Sequence, residues 1–134
     1  MAAKKRTQEP PTLEASVASF QRLLESGKTV QAIEEFYSEH AVVFENRALV
    51  RSGREACLRY EKEAVSALVA PPKFRVRRVA VNERDGVAFL EYVIRYTPRG
   101  GRPMRLEEVS VQAWECGRIV EERFYYEGLV DEGD

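Results

Sequence analysis

The chain has 134 residues, 44% hydrophobic and 32% charged, with 21 basic against 22 acidic residues and a net charge of −1. That length suits one domain burying roughly two-thirds of its unfolded surface. The balanced charge argues against nucleic acid or an anionic membrane as a partner.

No apolar run approaches the roughly 18 residues that a membrane span requires. The start MAAKKRTQEPPT lacks the apolar stretch of a secretory signal. Cys57 and Cys116 read as small apolar filler rather than reactive thiols, so a cytoplasmic location with reduced thiols is expected.

Residues 1–11 contain no aromatic and end in Pro10-Pro11, which predicts a disordered tail before a single domain over 12–130. Thr12 is placed to cap a helix carrying Leu13, Val17, Phe20 and Leu24 at helical spacing, closed by Ser26-Gly27. Thr29 is the expected cap of a second helix with Val30, Ile33, Phe36 and Tyr37 as its stripe. Ala41 to Phe44 then changes to strand character. Ser52 and Glu55 stand at capping-box spacing, predicting a third helix to about Leu68 before Pro71-Pro72.

The remainder reads as β. FRVRRVAVN passes through Asp85-Gly86 into VAFLEYVIRYT, a hairpin by alternation and turn chemistry. The loop PRGGRP precedes RLEEVSVQAWE, and Cys116-Gly117 turns the chain into its closing strand. Helices first and antiparallel strands afterwards predict an α+β fold with the helices gathered on one face. The run Arg75 to Arg78 alternates with valine and reads as a solvated strand face. Gly100-Gly101 has no helix after it and forms no phosphate cradle.

Three helices, a short early strand and four long late strands, with the stretches AIEEFYSEHAVVFEN, SGREA and GRIVEERFYYE, resemble the SnoaL-like or NTF2-like superfamily. The likeness covers about residues 13–128. It implies a cystatin/NTF2-like cone, three N-terminal helices closing over a strongly curved antiparallel sheet, with a cavity on the concave side. Laid on that pattern, Tyr92, Ile94 and Tyr96 point inward, as do Leu106, Glu108, Ser110, Gln112 and Trp114, and Val120, Glu122, Phe124 and Tyr126. Val93, Val109, Val111 and Ala113 then form an apolar outer face, which implies a homodimer through that face.

Ketosteroid isomerases, which belong to this superfamily, carry a general-base aspartate after the second helix, and Glu45 stands at that position. A half-desolvated carboxylate there would move a proton. The other groups of those relatives are replaced. The isomerase tyrosine and protonated aspartate fall on Phe20 and Ser110. The Arg and Asp of limonene epoxide hydrolases fall on Tyr92 and Ile94. The closing-strand aspartate of the hydrolases and polyketide cyclases falls on Phe124.

The polar set that remains is Glu45, Glu108, Glu122, Tyr92, Tyr96, Gln112 and Tyr126. Tyr37, Tyr60, Trp114 and Phe124 serve as aromatic walls, and His40 lies near the pocket's helical side. His40, the one histidine, reads as a base near neutral pH or as a hydrogen-bonded residue at a helix end. No metal-ligand spacing occurs and no cofactor is implied. The expected function is a small-molecule-binding protein for an apolar or aromatic molecule. It would act as a cofactor-independent isomerase- or cyclase-type enzyme with Glu45 and His40 as catalytic candidates. The alternative is a non-catalytic ligand-binding or dimeric assembly module on the same scaffold.

Overall fold

The computed structural model describes residues 9–131, so the first eight residues of the expected tail lie outside the described residues. In chain order the elements are α1 (Leu13–Glu25), α2 (Thr29–Phe36), β1 (Tyr37–Glu45), β2 (Ala48–Ser52), α3 (Arg54–Ser66), β3 (Lys73–Asn82), β4 (Val87–Tyr96), β5 (Met104–Glu115), β6 (Arg118–Tyr125) and β7 (Leu129–Asp131). The strands form one sheet in the order β2-β1-β6-β5-β4-β3, with β7 pairing to β5. The fold is α+β, three helices packed on a mixed sheet. The β1–β6 ladder is parallel and the other ladders are antiparallel. Hairpin chemistry fixes direction only for strands joined by a turn, and β1 and β6 lie far apart in sequence.

Local chemistry explains most boundaries. The Thr12 hydroxyl accepts from Ala15 N at 3.1 Å. Glu83, from the β3–β4 turn, accepts from Leu13 N and Glu14 N at 3.1 and 2.9 Å. A carboxylate at those free amide groups also favours the positive end of the helix. Val17, Phe20 and Leu24 recur at helical spacing and are buried together against Ala32, Ile33, Leu90 and Ile119. At Asp85-Gly86 the chain needs glycine, because Gly86 has φ 68° and a Cβ there would lie 2.8 Å from the Trp114 carbonyl oxygen.

Four sequence expectations are corrected. Thr29 does not cap α2: Lys28 holds that position and Thr29 is buried in the first turn. Ser52 closes β2, and Gly53 precedes α3 with no side-chain cap, so the capping-box spacing at Ser52 and Glu55 is not used. The helix stops at Ser66, short of Leu68. On the closing strand, Ala113 faces Glu121 and Trp114 faces Ile119, which leaves Val120 as the extra residue of a β-bulge. The bulge shifts parity by one residue, so Ile119 takes the inward place expected for Val120 and is buried in the core.

The outer face is less uniform than its sequence pattern. Val93 is 1% exposed, whereas Val109, Val111 and Ala113 are half-buried. The Arg77 guanidinium reaches Glu107 at 3.1 Å, from β3 to β5, and Glu107 is the cross-strand neighbour of Val93. The link crosses β4 obliquely beside Val93, and Val93, being buried, adds nothing to an exposed patch. Phe89 and Tyr125, 44% and 50% exposed, do.

Candidate active site

The helices and the concave face of the sheet enclose a cavity of about 530 Å³. Tyr92, Ile94 and Tyr96 of β4 reach it, as do Leu106 and Glu108 of β5 and Glu122 and Phe124 of β6. These residues alternate along their strands, so the period of two that the sequence displays is what turns them to one side. Tyr126 follows β6, Tyr37 and Glu45 stand at the two ends of β1, and Tyr60 comes from α3.

Glu122 is the most enclosed acid, 2% exposed. Its Oε1 accepts from the Tyr37 hydroxyl. Its Oε2 accepts from Ser110 Oγ at 2.5 Å and from Gln112 Nε2 at 2.8 Å. The Trp114 indole then donates to Gln112 Oε1 at 2.9 Å, which fixes the amide's orientation. Burial pushes the Glu122 carboxyl up, and the bonds from Ser110, Tyr37 and Gln112 pull it back down. Burial and the neighbouring Glu122 hold the Tyr37 hydroxyl well above its ordinary value, which keeps it a donor.

Glu108 is placed differently. It is 8% exposed and faces Tyr92 directly across the β4–β5 ladder. The Tyr92 hydroxyl donates to Glu108 Oε1 at 2.7 Å and is its one hydrogen-bond partner among the described residues. Burial raises the Glu108 carboxyl to about 7, the Tyr92 bond opposes the rise, and Glu122 and Glu45 add to it. A carboxyl that titrates near neutrality on a cavity wall has the acidity of a proton-transfer group.

Glu45 sits in a polar corner. It accepts from the Tyr126 hydroxyl at 3.1 Å and pairs with Arg51 at 3.7 Å. The Arg51 guanidinium also stacks over the Tyr60 ring, 3.8 Å from its centroid. Arg51 is the cavity-lining base that the sequence reading missed. It stands on β2, and the signal was present: Asn46-Arg47 forms a turn with Asn46 at φ 52°, followed by the short run Ala48 to Ser52 that pairs back on β1.

The structure brings Tyr37, Glu45, Tyr60, Tyr92, Tyr96, Glu108, Glu122, Phe124 and Tyr126 to one cavity. Three expected residues stand elsewhere. Trp114 is not a cavity wall but packs edge-on against Phe20 and Phe36, at centroid distances of 6.3 and 5.8 Å. Gln112 is wholly buried behind Glu122. His40 is exposed on β1 in the segment between Tyr37 and Val42, where the β1–β6 register shifts, so it is lifted off the ladder and away from the lining.

A family model described as SnoaL-like domain matches residues 17–122. No curated protein matches the chain significantly in sequence. Solved structures share the fold. A Mesorhizobium loti protein described as a SnoaL-like polyketide cyclase is 24% identical, with a TM-score of 0.70 over 87% of this chain and 100% of that one. The epoxide hydrolase/cyclase-like enzyme SalBIII, of pyran ring formation in the polyether salinomycin, is 17% identical, with a TM-score of 0.74 over 89% of this chain and 95% of that one. A Bacillus subtilis protein described as an isomerase is 20% identical, with a TM-score of 0.69 over 86% of each chain.

Proposed function

The chain belongs to the SnoaL-like family, and from that premise we propose that it binds a small apolar or aromatic molecule in the concave cavity and moves a proton on it without a cofactor. The observation that carries this reading is Glu108: a carboxyl on the wall of a 530 Å³ cavity, with one hydroxyl partner and a titration near 7. In this reading Glu108 takes the general-base role that the resemblance implied for Glu45. Its ionised form takes a proton from a carbon or hydroxyl of the ligand and returns it to a neighbouring atom, which is an isomerisation or ring closure.

Glu45, bonded to Tyr126 and paired with Arg51, orients the ligand's polar end. Tyr60, Tyr96 and Phe124 supply apolar contact. Glu122, with its acceptor capacity met by Tyr37, Ser110 and Gln112, holds the wall in shape. His40 takes no part. A second copy would cover the outer face at Phe89, Val109, Val111 and Tyr125.

One observation favours the alternative of binding without turnover. Ser110 occupies the place of an oxyanion donor in the isomerases that the sequence resembles, but its hydroxyl is committed to Glu122. Solvent deuterium exchange into an enolisable aryl ketone such as β-tetralone separates the two readings. Exchange accelerated by the native protein and lost in Glu108→Gln supports the enzyme; binding of the ketone with no acceleration supports the binding module.

A further inference from the structure

Acidic residues outnumber basic ones on the cavity wall. Glu45, Glu61, Glu108 and Glu122 all line it, and Arg51 is the one basic lining residue among the described residues. That guanidinium is already matched, by Glu45 at 3.7 Å and by the face of Tyr60 at 3.8 Å. The Arg51 charge also lowers the Glu108 and Glu122 carboxyls from a distance, but one guanidinium stands against four acids in the wall. The other groups there compound the imbalance, because Tyr60, Phe74, Tyr92, Tyr96, Phe124 and Tyr126 are aromatic. Aromatic faces carry negative potential and attract cations, most strongly where water is excluded.

A second observation at the same cavity points to a ligand. Thr29, 4% exposed, lines it and carries a buried hydroxyl with no hydrogen-bond partner. As the first residue of α2 it caps nothing. Leaving a buried hydroxyl unpaired is unfavourable, and a polar group entering the cavity would satisfy it.

We propose that the ligand of this cavity is an organic cation: a protonated amine on an apolar, ring-sized body, with a further polar group that meets Thr29. The proposal rests on the reading of the cavity as a small-molecule site. It narrows that site from apolar molecules in general to amines, and it sets carboxylic acids aside, since an anion would meet four acids and a single cation already paired with one of them. It also agrees with proton transfer at Glu108. An ammonium group near Glu108, Glu122, Glu45 and Tyr92 favours the ionised Glu108, the form that accepts a proton.

The test is calorimetric titration of the native protein with three probes that share one body and differ in charge: phenylbutylamine, phenylbutanol and phenylbutyrate. The amine should bind at least about tenfold tighter than the alcohol, and the acid weakest. That advantage should shrink at least about threefold in Glu108→Gln, which removes one of the four acids of the wall. Equal affinity for amine and alcohol, tightest binding of the acid, or an advantage that Glu108→Gln leaves intact would overturn the amine while leaving the cavity reading in place. Absence of binding by all three would overturn both.

Discussion

Tyr92 and Glu108 face each other across the β4–β5 ladder, and the tyrosine hydroxyl donates to the carboxylate at 2.7 Å inside a largely apolar wall. The pair is a compromise. Burial disfavours the charge on Glu108, and the single donor returns only part of what water would give, so the group titrates near 7.

The first prediction follows from the sign of that shift. A carboxyl whose folded pKa is raised costs nothing while it is protonated in both states, below its ordinary value. It destabilises the fold increasingly as pH rises towards 7, and fully above that. Glu108→Gln, which keeps an acceptor for Tyr92, should therefore be neutral near pH 4 and stabilising near pH 8 by on the order of 3 kcal/mol. Urea unfolding at the two pH values checks it, and equal effects at both would contradict it.

Glu122 should respond in the opposite sense to simple removal. Glu122→Ala strands Tyr37, Ser110 and Gln112 as buried donors and opens a void behind the cavity. A loss of about 3 kcal/mol or more is expected in chemical denaturation. A loss under about 1 kcal/mol would mean that the network is not what holds this wall.

Thr29 offers the reverse case. Thr29→Val replaces a buried, unpartnered hydroxyl with a methyl of similar shape. The unliganded protein should gain about 1 kcal/mol, read as a rise in melting temperature. Destabilisation would place a hidden partner at that hydroxyl.

The sequence made the inward rows of β4 and β5 legible because both strands keep an unbroken period of two through Tyr92, Ile94, Glu108 and Ser110. It failed where the period slips. Val120 is the bulged residue of β6, and no pattern in Gly117 to Phe124 marks which residue the ladder skips. The same limit hid Arg51, because β2 is a five-residue edge strand whose pairing depends on the Asn46 turn. Trp114 was misplaced for another reason. Parity gives the side of the sheet, but whether an inward residue meets a cavity or a helix depends on where Phe20 and Phe36 dock.

The outer face carries a prediction about assembly. Phe89 and Tyr125 are exposed beside Val109 and Val111 on the face away from the helices. If a second copy covers them, Val111→Lys should place a charge in the contact and halve the mass seen by light scattering at micromolar concentration. A monomeric mass for the native protein would remove the dimer altogether.

The titration of Glu108 itself tests the central claim most directly. With glutamate side-chain carboxyls labelled with carbon-13 and followed by NMR, the account predicts a carboxyl resonance that titrates near 7 and disappears in Glu108→Gln. A resonance lost in Glu108→Gln that instead titrates in the ordinary carboxylate range would place Glu108 in solvent and contradict its role as the proton-transfer group of the cavity.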